Sequence, residues 1–240
     1  MLVTLGQVDY AHAVERFYAG VSPVDSPLYT FADAGRMIGV PASTARWWVQ
    51  GRRSDGHEPV LLTEPTEKSR GLSFLDLLEL YAVKQLRKVH GVGLQAVRRA
   101  VRFAESDLGV TRVLLRHDLA TFGDQIFLAH LGDLVSLSGA GQVALRDVVE
   151  SYLRRVDRED AFGPVRFYPE FPGMEHDPER RPVAISPFVA FGRPIVRGTG
   201  IKTSVIAARI DAGESTEEVA RDYDIAHHLV TSAIRYEYAA

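Results

Sequence analysis

The sequence predicts a mainly α-helical protein with a small β component, with a helical unit towards each end and an α+β region between them. Apolar residues recur every three or four positions in residues 31–38 and 74–86, as on one face of a helix. Short β-type runs separated by turn residues follow within residues 112–137. Capping signals and helical spacing return after residue 203. With 240 residues, 46% of them hydrophobic, the chain can form one large core or two to three small ones.

Residues 30–50 have the pattern of two short helices joined by a tight turn. Thr30 is placed as an N-cap of the first helix. Gly39 can leave that helix with a positive φ, and the second helix can begin at Ser43 or Thr44. One apolar face marks the first helix: Phe31, Ala34, Met37 and Ile38.

The local charge of this segment is basic, although the whole chain is not. A net charge of -3 and a pI near 6.2 exclude a generally basic surface, so any contact with nucleic acid must be local. Residues 34–54 contain no acid and carry a charge of about +4, which can release phosphate counterions. The segment therefore predicts a DNA-binding helix-turn-helix, the alternative being a solvated basic turn. The four cations are Arg36, Arg46, Arg52 and Arg53.

Further elements follow this helix pair. Asp55 and Gly56 are a strong hairpin signal, so residues 51–63 predict a β wing. Ser73 can cap another helix, and a break at residues 91–93 starts the next one over residues 94–106. Between residues 81 and 102 the charge sums to about +6, which indicates a second phosphate-facing flank or a solvated helix surface. Its cations are Lys84, Arg87, Lys88, Arg98, Arg99 and Arg102.

Residues 30–53 resemble the N-terminal half of a MerR-type winged helix-turn-helix, whose recognition helix reads S-T-x-R followed by two aromatics. Here the motif is Ser43, Thr44, Ala45, Arg46, Trp47 and Trp48, with tryptophan in place of the usual tyrosine. The resemblance implies that Arg46 and Trp47 face the DNA backbone and that Trp48 packs inward. Such heads usually read two half-sites, so we expect a homodimer. The predicted DNA-binding residues are Thr30, Ser43, Thr44, Arg46, Trp47, Gln50, Arg52 and Arg53.

The middle of the chain predicts a small antiparallel sheet and a helix. Residues 112–116, 125–129 and 133–137 are β-type runs, and residues 164–168 can add an edge strand. An apolar stripe between residues 145 and 156 predicts the helix. This region could be an effector pocket, a dimer module or a platform for a protein partner, and the sequence leaves the three open.

Residues 170–184 are rich in proline, glycine and charge and predict an extended linker. Aromatic side chains at its start allow another interpretation, in which this stretch lies along the surface of a partner. The candidate partner-binding residues are Phe167, Tyr168, Phe171, Arg180 and Arg181.

The last segment predicts three short helices. Thr203 or Ser204 can cap the first helix and Gly213 suits its end. Ser215 and Glu218 have the spacing of a capping box for the second helix. Residues 211–224 carry a charge of about -5, so the segment suits a basic partner or dimerisation better than a phosphate groove.

The same segment resembles a helix-turn-helix-like family first catalogued as a domain of unknown function and found in antitoxins of bacterial toxin–antitoxin pairs. Gly200 stands where the family tends to have arginine, and Asp224 stands where proline is frequent. Together with the MerR-like head, the whole chain resembles VapB-type antitoxins, which bind a PIN-domain ribonuclease and repress their own operon. The family pattern, G-x-P, I-x-G-T and G-x-S-x-E-E, is matched by Gly192, Pro194, residues 196–199, Gly213, Ser215, Glu217 and Glu218.

These assignments divide the chain into five predicted segments. They are an N-terminal segment (1–28), a MerR-like winged helix-turn-helix with its following helices (29–110), an α+β middle domain (111–169), a linker (170–184) and a trihelical helix-turn-helix-like domain (185–240).

The sequence argues against an enzyme. The absence of cysteine excludes disulfides, thiolate metal sites and cysteine nucleophiles. The eight histidines lack metal-ligand spacing, and the glycines at residues 139–141 lack the lysine of a phosphate loop. We therefore expect no catalysis, no cofactor and no metal. No signal peptide or membrane-spanning run is visible, so we expect a cytoplasmic protein.

The leading hypothesis is a DNA-binding antitoxin whose partners are its own double-stranded operator and a PIN-domain ribonuclease toxin. The alternative is a MerR-like, ligand-responsive transcriptional regulator with a sensor in the middle domain. A third hypothesis is an interaction scaffold that does not bind DNA. Operator binding that weakens as the salt concentration rises would exclude this hypothesis.

Overall fold

The computed structural model describes residues 18, 20–51, 71–90, 93–107, 109–116, 151–160, 163–172 and 181–239. The chain divides into two units, which we call the amino-terminal unit (Tyr29–Val156) and the carboxyl-terminal unit (Met1–Leu28 with Asp157–Ala240). As predicted, the fold is mainly helical with a small two-stranded sheet component. Among the described residues, no helix has the length and apolar character needed to cross a membrane.

The amino-terminal unit begins with the predicted capped helix, α1 (Phe31–Ile38). The Thr30 hydroxyl accepts the backbone N–H of Asp33 at 3.0 Å, and the Asp33 carboxylate accepts the backbone N–H of Thr30 at 3.0 Å. This reciprocal capping box satisfies two backbone donors at the start of the helix. Gly39 ends α1 with a φ of 69°, in the left-handed region that glycine enters at little cost.

Helix α2 (Ala42–Gln50) follows after a turn of three residues. It begins just after Pro41, one residue earlier than expected, so Ser43 and Thr44 lie inside the helix and do not cap it. Gly35 allows the close approach of α1 to this turn, because an added Cβ would lie 2.6 Å from the carbonyl oxygen of Val40.

Helices α3 (Phe74–His90) and α4 (Leu94–Ser106) form the rest of the described helical layer, as predicted. Ser73 caps α3, since its hydroxyl accepts the Asp76 N–H at 3.1 Å and the Asp76 carboxylate accepts the Ser73 N–H at 2.8 Å. Their inward faces supply much of the core of this unit, including Phe74, Leu77, Leu78, Tyr81, Val97 and Val101.

The prediction of a β-strand over residues 112–116 is wrong. Val113–Leu115 form a single 3₁₀ turn in which all three side chains are buried, whereas a strand on one face of a core would bury alternate side chains. The preceding Arg112 adopts a φ of 49°, and its Nη1 donates to Glu79 at 2.6 Å and to Asp76 at 3.0 Å. These long-range contacts to α3 hold the turn in place.

Several predicted elements lie outside the described residues. They include the wing after residue 51, the β-type runs at 125–129 and 133–137, and the first part of the helix expected between residues 145 and 156. Residues 151–153 are helical, as expected, but Val156 belongs to a strand and not to that helix.

Two small sheets belong to the carboxyl-terminal unit, except that the first strand begins at Val156, the last residue of the amino-terminal unit. Strand β1 (Val156–Glu159) pairs with β2 (Gly163–Phe167), which confirms the predicted edge strand. Strand β3 (Val183–Ala184) is antiparallel to β4 (Ile195–Val196). An isolated bridge between Phe167 and Ile185 joins the end of β2 to the chain after β3.

Three helices complete this unit: α5 (Thr203–Asp211), α6 (Thr216–Asp222) and α7 (His227–Tyr238). The predicted capping box of α6 is confirmed, with Ser215 and Glu218 exchanging hydrogen bonds. The predicted cap of α5 is wrong, because Thr203 is its first residue and is fully buried, with its hydroxyl bonded to Pro194 and Glu237. The helices enclose a core of Val196, Ile206, Val219, Ala220, Val230 and Ala233.

Candidate nucleic-acid interface

One face of α2 is polar and accessible, and the opposite face is buried. Residues 43, 46, 47 and 50 follow helical spacing and share a face. Ser43, Arg46 and Gln50 are exposed, while Thr44 and Trp47 are half-buried. Ala45, Trp48 and Val49 form the inward side. We call the set Ser43, Arg46, Trp47 and Gln50 the outer face of α2.

Arg46 is the cation of this outer face. Its guanidinium carbon lies 5.1 Å from the centre of the Phe31 ring in α1, within cation–π range. Within the described part of the chain, the guanidinium makes no hydrogen bond and no ion pair. A flat ring therefore supports the group, and no described residue accepts from its N–H donors, which are of the kind that a phosphate or the edge of a guanine accepts.

The two tryptophans of α2 differ in burial. Trp48 is 3% exposed, and the guanidinium of Arg87 in α3 lies 5.7 Å from its ring centre. Trp47, which belongs to the outer face, is half-buried. The inward packing of Trp48 agrees with the orientation that the MerR resemblance implies.

The basic flank expected along α3 and α4 is smaller than the charge count predicted. Lys84 donates from Nζ to the carbonyl oxygen of Ile38 at 2.6 Å and so closes the end of α1. Arg98 is 4% exposed and donates to Gln95 at 2.7 Å, which corrects its assignment to a phosphate-facing surface. Arg87 and Arg99 are exposed.

Other predicted DNA-binding residues stay predictions. Arg52 and Arg53 lie outside the described residues, as does the side chain of Lys88. The Thr30 hydroxyl is used within α1, since it also donates to the Asp33 carboxylate at 2.8 Å. Its role as a cap therefore explains Thr30 without a contact to DNA.

The aromatic residues that were predicted to bind a partner pack within the carboxyl-terminal unit. Phe167 is fully buried and Tyr168 is 4% exposed, so their rings do not form an open surface. Phe171 packs edge-on against Tyr236 with ring centres 5.4 Å apart. Arg181 lies over the Tyr168 ring at 4.9 Å, and Arg180 lies outside the described residues.

Acidic residues dominate the exposed surface around α6. Arg209 lies 5.1 Å from the ring centre of Tyr223 and donates to Glu214 at 2.8 Å and to Asp222 at 2.6 Å. The hydrogen bonds from Arg209 lower the pKa of Glu214. Within the described ranges, no group of three or more His, Cys, Asp or Glu residues could hold a metal ion.

Comparison with known families matches both terminal regions. Residues 27–101 match the family described as "Putative DNA-binding HTH domain". Residues 183–236 match the family described as "Protein of unknown function (DUF433)". The first match contains α1 and α2, and the second contains α5, α6 and all but the last two residues of α7.

Two relatives from Mycobacterium tuberculosis are similar over most of their lengths. The chain is 25% identical over 232 residues to "Putative antitoxin VapB45", which covers 88% of this chain and 93% of the relative. It is 28% identical over 225 residues to "Uncharacterized protein Rv2308", with 90% and 92% of the two chains covered. These similarities support an antitoxin-like protein with a helix-turn-helix domain.

A solved structure has the same fold. The X-ray crystal structure of Rv2018 from Mycobacterium tuberculosis superposes with a TM-score of 0.66 and 24% sequence identity. The match covers 89% of this chain and 100% of the crystallised one.

Proposed function

We propose that this chain is a DNA-binding antitoxin of a type II toxin–antitoxin pair, which neutralises a PIN-domain ribonuclease and represses its own operon as a homodimer. It acts by binding and not by catalysis. The observation that carries the proposal is the outer face of α2, where Arg46 rests on Phe31 with no acid paired to it among the described residues.

The chemistry of this face suits a duplex. Arg46 offers a forked set of donors for guanine or phosphate, and Gln50 offers an amide that can read adenine in the major groove. The N-cap residue of α2 is Pro41, whose side chain makes no hydrogen bond to the start of the helix. The first backbone N–H groups of α2 can therefore bind a phosphate. Ser43 and Thr44 stand beside these groups as further phosphate donors.

The MerR-like wing would extend this contact through Arg52 and Arg53. Because phosphate contacts release counterions, removing either arginine should lower the salt dependence of binding by about one unit of slope. Arg235, exposed on α7, gives a matched control on the other unit.

The proposed toxin binding is supported by the similarity of this chain, over 88% of its length, to a relative that is named a putative antitoxin. The match to a putative DNA-binding domain supports the proposed operator binding. The first experiment is to co-express the chain with the protein encoded beside it, purify the pair and measure ribonuclease activity with and without the chain. A stable, inactive complex is expected. Failure to associate, with the nuclease fully active, would contradict the proposed toxin binding.

The second experiment measures binding to a duplex taken from the chain's own promoter at several salt concentrations. Steep salt dependence is expected for the unsubstituted chain and for Arg235→Ala, with shallower slopes for Arg52→Ala and Arg53→Ala. If instead a small molecule changed the affinity and no toxin associated, the ligand-responsive regulator would replace the antitoxin as the better account.

A further inference from the structure

A left-handed turn precedes β4 in the carboxyl-terminal unit. Ala190, Phe191 and Gly192 adopt φ values of 49°, 56° and 70° in succession. For residues with a Cβ this conformation brings the side chain close to the backbone and is unfavourable. Gly192 adopts it readily, whereas Ala190 and Phe191 do so against their own preference, so the surrounding structure must impose it.

Ser186 imposes this conformation from the core. It is 3% exposed, and its carbonyl oxygen accepts the N–H groups of Val189 and Gly192, both at 3.1 Å. Its hydroxyl donates to the carbonyl oxygen of Val165 in β2 at 2.8 Å. The turn is therefore tied to a strand and presents a fixed shape.

The fixed turn places an aromatic ring on the surface. Phe191 is 51% exposed, and its ring centre lies 6.4 Å from that of Tyr18. The Tyr18 hydroxyl donates to the carbonyl oxygen of Pro187 at 2.7 Å, which anchors this ring beside the turn. Val21, 46% exposed, donates its backbone N–H to Tyr18 at 3.1 Å. The turn thus keeps Phe191 at the surface, where its ring contributes little to the core.

Exposed arginines follow this turn in the sequence. Residues 181–210 contain five cations and no acid, but two of the five are paired with acids of the same unit: Arg209 with Glu214 and Asp222, and Arg181 with Asp157. Arg193 follows the turn directly and is exposed. Arg197 is also exposed, and its guanidinium lies 5.7 Å from the ring centre of Tyr168, a member of the small core cluster against which Ala190 packs. An exposed aromatic with arginines beside it has the composition of a binding hot spot.

We propose that Phe191 is the anchor with which this chain holds its toxin, inserted into an apolar pocket whose border carries carboxylates that pair with Arg193 and Arg197. This inference rests on the proposed function. An exposed ring at the centre of the patch favours a protein over DNA, since a phosphate backbone offers no pocket for it. A two-fold contact with a second copy is disfavoured, because it would bring the arginines of both copies together.

The test uses the full chain and the purified protein encoded beside it, with affinity measured by titration calorimetry. Phe191→Ala should weaken binding at least thirty-fold, as expected for a hot-spot aromatic. Phe191→Gly serves as a second variant, because glycine adopts this φ freely and keeps the turn while removing the ring. Phe191→Tyr should restore most of the affinity. Val205→Ala, which truncates another exposed apolar side chain on α5, is the control and should bind within threefold of the unsubstituted chain.

Charge reversal tests the border of the pocket. Arg193→Glu and Arg197→Glu should each weaken toxin binding about tenfold and reduce its dependence on salt, whereas Arg235→Glu on α7 should change neither. Binding to the promoter duplex should be the same in all these variants, which separates this surface from the outer face of α2.

The outcomes are distinct. If the unsubstituted chain binds the toxin and both Phe191→Ala and Phe191→Gly bind equally well, the anchor is overturned and the proposed function stands. If those variants instead lose a homodimer in sedimentation while toxin binding is kept, the ring serves a second copy, which also overturns the anchor. If the unsubstituted chain does not bind the neighbouring protein, the proposed toxin binding and this inference fail together.

Discussion

Arg46 and Arg209 show how the two helical units differ. Each guanidinium lies 5.1 Å from the centre of an aromatic ring, Phe31 in the amino-terminal unit and Tyr223 in the carboxyl-terminal unit. Arg209 also donates to Glu214 and Asp222, whereas Arg46 has no carboxylate partner among the described residues. The same stacking is therefore combined with an intramolecular ion pair at Arg209 and, among the described residues, with none at Arg46.

The comparison teaches that a helix-turn-helix outline does not by itself indicate a DNA contact. Both units contain short capped helices around an apolar core. What separates them is the charge around the exposed helix, about +4 over residues 34–54 and about -5 over residues 211–224. We therefore propose duplex binding for the first unit and protein contacts for the second.

The largest expected difference between the units is the sign of their response to pH. Burial raises the pKa of Glu79 to about 7, against the opposing effect of Arg112. The folded chain then keeps a proton that the unfolded chain releases above pH 4.5, so the amino-terminal unit should lose stability as pH rises from about 4.5 to 7. The loss is about 3 kcal/mol at 1.36 kcal/mol per pKa unit.

Glu214, Glu217 and Glu218 act in the other direction, because hydrogen bonds lower their pKa values. The stability that they contribute to the carboxyl-terminal unit is present at a pH above the usual glutamate pKa and is lost as the pH falls below that value. Urea unfolding at pH 5 and pH 8 checks the comparison, with tryptophan fluorescence as a local probe, since both tryptophans lie in α2. Glu79→Gln should make the free energy of unfolding less dependent on pH. An unchanged pH dependence in that variant would show that another group causes it.

The next effect concerns the close approach of α1 to the turn before α2. Gly35→Ala should destabilise the amino-terminal unit by about 2 kcal/mol, because its Cβ would meet a backbone oxygen that cannot move freely. Gly200→Ala is the control in the other unit, since an added Cβ there has nothing within 4 Å. Equal midpoints of urea unfolding for the two variants would show that the turn before α2 can shift to accommodate the added Cβ at little cost.

The capping boxes give a smaller, matched pair of effects. Thr30→Ala and Ser215→Ala should each remove about 1 kcal/mol from their own helix. Hydrogen exchange of the backbone amides in α1 and α6 can measure the two losses separately. Promoter binding should weaken only for Thr30→Ala, and a loss in Ser215→Ala as well would mean that the carboxyl-terminal unit contributes to the duplex contact.

The smallest expected effect comes from the ring under Arg46. Phe31→Leu keeps an apolar residue at this position but removes the ring face, so affinity for the promoter duplex should fall about threefold. Phe31→Tyr should restore it. Fluorescence anisotropy of a labelled duplex measures the affinity of both variants. Equal affinity of Phe31→Leu and the unsubstituted chain would show that the ring does not contribute to duplex binding.

Local signals in the sequence were enough to predict much of the helical framework. The N-cap at Thr30, the capping box at Ser215 and the bounds of α4 were confirmed, because each depends on residues only a few positions apart. The inward packing of Trp48 agrees with what the resemblance to MerR-type recognition helices implies.

Long-range contacts explain what the sequence did not predict. The turn at Val113–Leu115 depends on Arg112 pairing with side chains of α3, which lie more than thirty positions earlier in the chain. Arg98 was predicted to be a surface cation, but the packing of the helices buries it to 4% exposure. Phe191 carries no local signal for a left-handed φ, since the constraint comes from Ser186 and β2.

Replacing Arg46 by alanine tests the central claim most directly. The measurement is the ratio of affinities for the promoter duplex and for a scrambled duplex of the same length and composition, at one salt concentration. We predict that Arg46→Ala lowers this ratio at least tenfold, as for the loss of a base-reading arginine, while Arg235→Ala leaves it unchanged. An unchanged ratio in folded Arg46→Ala would contradict the assignment of the outer face of α2 to the duplex.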